Sequence, residues 1–344
     1  MNESDEMDEN YQSSEGNETN EFNYIIDKKY KISKMIGCGF TSKVMLATDL
    51  KTHKEVAIKI YIPKFGESDF NMKISKEIEI MKRIDHTNVV KVIDHCEGTY
   101  FSSSMILPKR ILYSVFEICE NGELFDYIKV SGGLPETITR YYFKKIITAV
   151  KHLHENNIAH RDIKLENLFL TKKFDIVLGD FGFASYLDSD SNLFNYCGTK
   201  GYQSPESLEK KSNDYKSNDL FSLGVMLFIL IFGGSPFNEA KSTDYRYKHI
   251  YLGQYDEFWE KIKKAIKKDY ISESLMNLLN GLLKYNDRIS IEDIEKSTWY
   301  NEETSSEHEA NLEMLKRKID VIEKREDYDL EIELYNLPQY FKMM

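Results

Sequence analysis

The sequence predicts an α+β protein with two lobes, a small strand-rich lobe followed by a larger one that is mostly helical. The length of 344 residues suits about two structural units. Short runs of β-type residues fill the first third of the chain, and helical periodicity dominates after residue 122. With 41% apolar residues, 6 prolines and 17 glycines, the bulk of the chain is neither disordered nor collagen-like.

The first lobe is predicted from strand-like runs that turn residues separate, with one amphipathic helix among them. The predicted strands are residues 30–36, 42–50, 55–62, 89–96 and 111–118. Between the third and fourth strands, Ile74, Ile78 and Met81 repeat at a helical spacing and predict a helix over residues 71–84.

The second lobe is predicted from apolar stripes at the helical period. The predicted helices are residues 123–129, 136–156, 216–232, 256–268 and 272–284. The longest apolar run, residues 220–232, has thirteen residues, which is short of the roughly 20 that span a bilayer. We therefore expect this run to form a buried core helix.

Acidic residues are concentrated at the two ends of the chain. The net charge is −11, of which residues 1–23 contribute −8 and residues 301–344 contribute −6, so residues 24–300 carry +3. This balance argues against a protein that binds nucleic acid through overall basicity. Residues 1–23 contain too few apolar side chains to form a core and predict a disordered acidic tail, and residues 301–344 predict a charged helical extension.

The cysteines Cys38, Cys96, Cys119 and Cys197 lie far apart, without the spacing of a zinc site or a disulfide framework. This usage favours a reducing compartment. The first residues have neither the apolar run of a signal peptide nor a myristoylation pattern. We expect a cytoplasmic protein, with the nucleus as the alternative, that binds no membrane.

A glycine-rich run, GCGFTSKV, begins at Gly37 between two predicted strands. A dinucleotide-binding glycine motif opens a helix, whereas this run would form a hairpin whose backbone can lie close over phosphates. Taken alone, the run fits an ordinary turn better. Lys59 ends the strand-like run VAIK, where it is either a solvated strand end or the partner of Glu77 on the following helix.

The sequence HRDIKLEN at residues 160–167 is followed by DFG at residues 180–182. An acid, a lysine, an asparagine and a second acid in this order are the groups that Mg-assisted phosphoryl transfer uses. Their oxygen atoms suit Mg²⁺, which prefers hard ligands. These residues would very rarely occur in this order by chance, and they predict a phosphoryl-transfer site.

These motifs together resemble those of a eukaryotic serine/threonine protein kinase of the calmodulin-dependent kinase-like group, over residues 30–300. GCGFTSKV resembles the glycine-rich loop, VAIK the strand-three lysine motif, HRDIKLEN the catalytic loop and DFG the metal-binding turn. SPE at residues 204–206 stands for the usual APE, and Arg288 matches the arginine that pairs with its glutamate, here Glu206.

The resemblance implies the bilobal protein kinase fold over residues 24–300, with an N-lobe at about 30–118 and a C-lobe at about 122–300. It also implies the cofactors ATP and Mg²⁺. The activity would be transfer of the γ-phosphoryl group of Mg-ATP to serine or threonine hydroxyls of protein substrates. A catalytically silent pseudokinase scaffold and a small-molecule kinase of similar fold are the alternatives.

The roles of individual residues follow from the same resemblance. Asp162 would accept the proton of the substrate hydroxyl, Lys164 would neutralise the γ-phosphate, and Thr199 marks a serine/threonine rather than a tyrosine kinase. The residues implied to bind Mg²⁺ are Asn167 and Asp180. Those implied to bind ATP are Ile36, Gly37, Gly39, Val44, Ala57, Lys59 with its partner Glu77, Glu117 and Cys119.

Substrate choice and activation have weaker signals. Glu123 and Glu166 match positions that face an upstream arginine in basophilic relatives, so we expect a preference for basic residues upstream of the acceptor. Asn195 lies where many relatives carry a phosphorylated threonine, which Arg161 would meet. The alternatives there are an anion from Asp188 or Asp190, modification of Ser189, Ser191 or Tyr196, and a solvated loop with no such role.

The C-terminal extension contains one apolar stripe, formed by Leu312, Leu315, Ile319 and Ile322. It could dock on the large lobe as an inhibitory helix or pair with another chain. The net charge of −6 disfavours a calmodulin target, because such helices are basic. No EF-hand loop is found in the sequence, and we expect no calcium site of that kind.

Overall fold

A computed structural model of the chain describes residues 24–39, 41–62, 70–102, 109–187, 198–210, 214–267 and 270–332. The predicted tail at residues 1–23 and the stretch 188–197, with Asn195 and the alternative anion sources, lie outside the described residues. The chain divides into two compact units. The first is Met1–Ile62 with Cys96–Tyr113, and the second is Pro63–His95 with Ser114–Met344.

The described residues of the first part of the chain form six strands and one helix. They are β1 (Tyr24–Ile26), β2 (Tyr30–Cys38), β3 (Ser42–Asp49), β4 (Glu55–Tyr61), α1 (Phe70–Arg83), β5 (Val92–Ser102) and β6 (Lys109–Glu117). The strands close into a barrel in the order β1-β2-β3-β4-β6-β5. Helix α1, which the sequence places in the N-terminal lobe, belongs to the second compact unit.

The barrel alternates buried and accessible residues along its strands, as the period of two requires. Met45 and Ala47 of β3 and Val56 and Ile58 of β4 are buried, and the residues between them are partly accessible. Strand β1, which pairs with β5, was not predicted because three residues show no periodicity. The remaining strands of the sheet match the predicted runs to within a few residues, except that β5 extends to Ser102.

In the rest of the chain, the described residues are mostly helical and include four short strands. Its elements are α2 (Leu124–Ser131), α3 (Glu136–Glu155), β7 (Ile158–Ala159), β8 (Leu168–Leu170), β9 (Ile176–Leu178), β10 (Ser185–Tyr186), α4 (Pro205–Leu208), α5 (Tyr215–Phe232), α6 (Tyr247–Tyr251), α7 (Tyr255–Ile266), α8 (Glu273–Leu283), α9 (Ile291–Lys296), α10 (Thr298–Asn301) and α11 (Glu307–Ile332). The predicted α+β fold class is confirmed.

Helix α5 is the central helix of the second unit. Among the described helices it is the one long and apolar enough to cross a membrane, but 72% of it is buried inside the protein. It begins where the Asp214 side chain accepts a hydrogen bond from the Ser217 backbone N–H, and it ends at Gly233, whose φ of 73° is left-handed. The expectation of a buried core helix is confirmed.

Arg140 of α3 fixes the chain that follows α10. Its guanidinium bonds the Glu302 carboxylate at 2.7 Å and the backbone carbonyls of Trp299 and Glu303, and it lies 4.5 Å from the centre of the Trp299 ring. The Arg140 side chain is only 3% exposed, so these partners compensate a buried charge. The segment after residue 300 is therefore part of the folded unit.

Helix α11 packs against α2 and α3. Its buried residues are Ala310, Met314, Arg317 and Val321. The Arg317 guanidinium donates to the carbonyls of Gly132 and Gly133, at 2.6 and 2.8 Å, just beyond the end of α2. The apolar stripe that the sequence predicts is not the docking face of this helix.

Candidate functional site

The side chain of Asp162 is the centre of a dense hydrogen-bond network in the second unit. It is 4% exposed. One carboxylate oxygen accepts from both the backbone N–H and the hydroxyl of Thr199, each at 3.0 Å. The other accepts from Lys164 Nζ at 2.7 Å and from Asn167 Nδ2 at 3.2 Å. These bonds fix the orientation of a carboxylate that could accept a proton.

Lys164 and Thr199 also contact each other, since Lys164 Nζ donates to Thr199 Oγ1 at 2.9 Å. Asp162, Lys164 and Thr199 thus form a closed triangle of polar contacts. The three residues that the sequence predicts as catalytic are brought together, although Thr199 lies 35 residues after Lys164.

Asp219, near the start of α5, anchors the loop that carries Asp162. One oxygen of Asp219 accepts from the backbone N–H of His160 at 2.9 Å, and the other from that of Arg161 at 2.7 Å. His154 of α3 contacts the first oxygen at 2.9 Å. Asp219 is 1% exposed, and both of its carboxylate oxygens accept hydrogen bonds that position this loop.

The sequence alone did not give Asp219 a role in the site. Asp219 could have been identified because it is the single carboxylate near the start of a helix that is otherwise mostly apolar. A buried carboxylate needs hydrogen-bond donors from elsewhere in the fold.

Backbone conformations around the site are unusual. Arg161 and Asp180 adopt left-handed φ angles of 68° and 56°. Residues without glycine's freedom occupy this region at an energy cost, and they cluster at functional sites. Gly198 has a φ of 99°, and a Cβ there would lie 2.8 Å from the Arg161 carbonyl. Glycine is therefore required where the chain arrives at Thr199.

The two predicted metal ligands, Asn167 and Asp180, are linked through the backbone. The Gly179 N–H donates to the Asn167 carbonyl at 2.9 Å, so Asp180 follows directly after an anchored residue. A Cβ on Gly179 would lie 2.9 Å from the Phe169 ring, which explains the glycine. An amide oxygen and an accessible carboxylate fit the oxygen preference of Mg²⁺.

Three of the predicted ATP-binding residues of the first unit share one face of the sheet. Val44 pairs with both Gly37 and Lys59, and Leu46 pairs with Ala57. Because alternate residues of a strand share a face, Val44, Ala57 and Lys59 lie on the face opposite the buried residues of β3 and β4. Lys59 Nζ lies 5.4 Å from the centre of the Tyr61 ring.

The glycine-rich hairpin is tight at its tip. The backbone N–H of Gly39 donates to the Ser42 carbonyl at 2.8 Å, and a Cβ on Gly39 would lie 3.1 Å from the Ser42 hydroxyl. Ile36 at the start of the hairpin is 43% exposed. The hairpin thus leaves an open backbone surface beside an accessible apolar side chain, which suits the predicted contact with a nucleotide.

Three further predicted residues lie in the second unit. Glu77 on α1 is buried, with 6% exposure. The backbone N–H of Glu117 donates to the Lys91 carbonyl at 3.1 Å, so this end of β6 is anchored. Burial raises the pKa of the Cys119 thiol to about 12, which keeps it protonated. Lys59 and Glu77 belong to different units, and their pairing stays a prediction.

Glu166 has a feature that the sequence does not show. Its Oε2 atom is buried and has no hydrogen-bond partner among the described residues. Its carboxylate also lies close enough to Tyr202 to raise the pKa of that phenol, second to the effect of burial. A buried carboxylate oxygen without a donor is rare in proteins and marks a place where a donor can bind.

The expected ion pair between Arg288 and Glu206 is present. Arg288 Nη2 lies 3.1 Å from Glu206 Oε2, and Nη1 bonds the other oxygen. Arg288 also donates to the Ser217 carbonyl at 2.8 Å, at the first turn of α5. The pair is a structural link and does not contact the Asp162 network in the hydrogen bonds of the described residues.

Comparison with known proteins gives two findings. Residues 30–300 match the family model described as the protein kinase domain. The chain is also 34% identical over 281 residues to the CBL-interacting serine/threonine-protein kinase 14 of Arabidopsis thaliana. That alignment covers 80% of this chain and 58% of the relative, so the chain spans little more than half of the relative's length.

Proposed function

The chain belongs to the protein kinase family, and from this premise we propose that it transfers the γ-phosphoryl group of ATP to serine or threonine hydroxyls of proteins. The observation that carries the proposal is the network in which Asp162 accepts from Lys164, Thr199 and Asn167. A preorganised carboxylate with an ammonium group 2.7 Å away can orient a hydroxyl and stabilise charge on a transferring phosphoryl group.

Each proposed residue has a physical task. Asp162 orients the substrate hydroxyl and accepts its proton, while Lys164 stabilises negative charge on the phosphoryl group. The hairpin at Gly37 and Gly39 offers backbone surface to the phosphates, and Lys59 contributes a positive charge to them.

Asn167 and Asp180 would hold Mg²⁺, which neutralises the charge of the phosphates when it is bound. The proposed cofactors are thus ATP and Mg²⁺. The fit rests on the oxygen atoms that these two side chains offer and on the backbone bond that anchors them next to each other.

The test is phosphate transfer from labelled ATP to a mixture of serine and threonine peptides in the presence of Mg²⁺. We expect Asp162→Asn and Asp180→Asn each to lower kcat by about 10³-fold or more, because each removes a charge that acts in the transition state. Asp256→Asn, an exposed acid on α7, is the matched control and leaves kcat unchanged.

A chain that binds nucleotide but transfers no phosphate to any peptide would contradict the proposal and favour a pseudokinase scaffold. No observation on the described residues favours that alternative, because Lys59, Glu77, Asp162, Asn167 and Asp180 are all retained.

We also propose that the enzyme prefers substrates with a basic residue upstream of the acceptor. The support is the Glu166 carboxylate, which lies beside the Tyr202 phenol and whose buried Oε2 has no hydrogen-bond partner among the described residues, so that an arginine guanidinium could donate to it. Glu123, at the start of α2, is the second carboxylate proposed to face such a residue.

This preference predicts that Glu166→Gln lowers kcat/KM for arginine-containing peptides by about tenfold or more and leaves alanine-containing peptides nearly unchanged. Glu257→Gln, on the exposed side of α7, is the control. Equal loss on both kinds of peptide would show that Glu166 is structural and does not select the substrate.

We also propose that the protein is located in the cytoplasm and that its partners are protein substrates.

A further inference from the structure

Helix α11 presents two different faces. Ala310, Met314, Arg317 and Val321 are buried against the rest of the second unit. On the other side, Leu312, Leu315, Ile319 and Ile322 are 45%, 51%, 57% and 46% exposed. We call these four residues the α11 stripe. Four large apolar side chains in one exposed row are unusual on a monomer and typical of an interaction surface.

The spacing of the α11 stripe is that of a coiled-coil seam. The four residues follow one another at intervals of three, four and three, which are the a and d positions of two heptads. In the same register, Ala310 and Arg317 are f positions, and Met314 and Val321 are c positions. Docking on the second unit therefore uses the side of the helix that faces away from the seam and leaves the seam accessible.

The charges beside the α11 stripe point to its occupant. Lys318 lies at a g position and Glu323 at the e position five residues later. In a parallel pair of identical helices, a g residue of one helix meets the following e residue of the other. Lys318 of each copy would thus lie beside Glu323 of the other, and the twofold symmetry forms this pair twice.

The same charges disfavour the opposite orientation. In an antiparallel pair that aligns the four apolar layers, Lys316 of one copy lies near Lys316 of the other, and like charges repel. Lys318 Nζ already donates to Asn121 Oδ1 at 2.7 Å, but an ammonium group has three donors and can hold a second partner.

We propose that the α11 stripe binds the α11 stripe of a second copy of this chain, in parallel orientation. The helix is already ordered by its packing on α2 and α3, so association does not have to nucleate it. The seam is only two heptads long, so the dimer is weak and depends on concentration. We expect a dissociation constant on the order of 10 µM.

The test is sedimentation velocity of the full chain from about 1 to 100 µM, a range that brackets the expected constant. We expect a reversible monomer–dimer equilibrium that the double variant Leu315→Glu/Ile319→Glu shifts to monomer at every concentration. Leu252→Glu, which changes a 64% exposed leucine outside α11, is the matched control and keeps the dimer. Circular dichroism melting curves verify that both variants fold.

Two further variants test the register. Glu323→Lys places like charges together and should raise the dissociation constant by about tenfold. In a Cys38→Ser background, which removes an exposed thiol, Leu315→Cys should form a disulfide-linked dimer because equivalent d residues face each other in a parallel pair.

Three results would overturn the proposal. A full chain that stays monomeric at 100 µM means that another segment or partner covers the stripe. A dimer that survives Leu315→Glu/Ile319→Glu uses a different surface. A dimer in which Leu315→Cys gives no disulfide while Leu312→Cys/Ile322→Cys cross-links instead would show an antiparallel pair.

Discussion

The hydroxyl of Thr199 joins two residues of the catalytic network. It donates to Asp162 and accepts from Lys164 in the same position. No apolar side chain of the same shape can do this. The contribution of Thr199 to the proposed reaction therefore depends on one oxygen atom.

We predict that Thr199→Val lowers kcat by about 30-fold, because the hydrogen bonds it removes involve charged partners. Thr199→Ser keeps the hydroxyl and should retain activity within a few-fold. The measurement is steady-state phosphate transfer with both variants at matched stability. If valine and serine behave alike, the hydroxyl is not part of the active network.

Single residues of the site differ in how well the sequence identifies them. Asp162, Lys164, Asn167 and Asp180 are predicted because their order along the chain is specific to one chemistry. The sequence cannot predict that Glu166 Oε2 is buried without a hydrogen-bond partner among the described residues, because both properties depend on the folded chain. The sequence shows the type of each side chain directly. Whether a buried polar group has a hydrogen-bond partner depends on which residues the fold brings near it.

Two histidine rings join the turn after α1 to helix α3. The rings of His86 and His152 are stacked with their centres 5.2 Å apart. Partial burial and, secondly, the neighbouring His152 ring lower the pKa of His86 below its usual value of 6.5. The folded protein thus binds a proton at His86 less readily than the unfolded chain does.

This contact predicts a loss of stability in acid. As the pH falls through about 6.5, the unfolded chain takes up the proton that folded His86 resists, so the free energy of unfolding decreases. Urea titrations at pH 7.5 and 5.5 should show a smaller decrease for His86→Gln than for the wild type. His308→Gln, an exposed histidine on α11, is the control. Identical decreases in all three proteins would remove His86 from the explanation.

The length of an element decides how much of it the sequence predicts. Helix α3 has 20 residues and shows several turns of one apolar stripe, and its predicted and observed ends agree within one residue. Strands β7 and β10 have two residues each and exist because they pair with each other across 26 residues of sequence, so no local pattern announces them. The sequence shows that α11 carries an apolar stripe, but only the fold shows that this stripe is on the exposed face of the helix.

At the scale of the whole molecule, the folded unit extends beyond the segment that matches the family model, which ends at residue 300. Arg140 lies on α3, yet two of its partners, Glu302 and Glu303, come after that boundary. Removing one side of a buried charged contact leaves the other side uncompensated.

We predict that Arg140→Ala lowers the free energy of unfolding by about 3 kcal/mol, because it removes the buried guanidinium that bonds Glu302 and Glu303. Thr148→Ala, at an exposed position of the same helix, should change it by less than about 0.5 kcal/mol. Urea unfolding of both variants measures the difference. An equally small effect of both substitutions would mean that the segment contributes little to stability.

Strands β3 and β4 give the first unit two independent surfaces. Met45, Val56 and Ile58 fill the inside of the barrel, and Val44 and Lys59 lie on the outside. The outward residues, which we propose to contact a nucleotide, can therefore change without eroding the interior that keeps the strands together. Mutational tolerance should alternate residue by residue along each strand, so that changes to the proposed nucleotide contact and changes that impair folding arise at neighbouring but distinct codons.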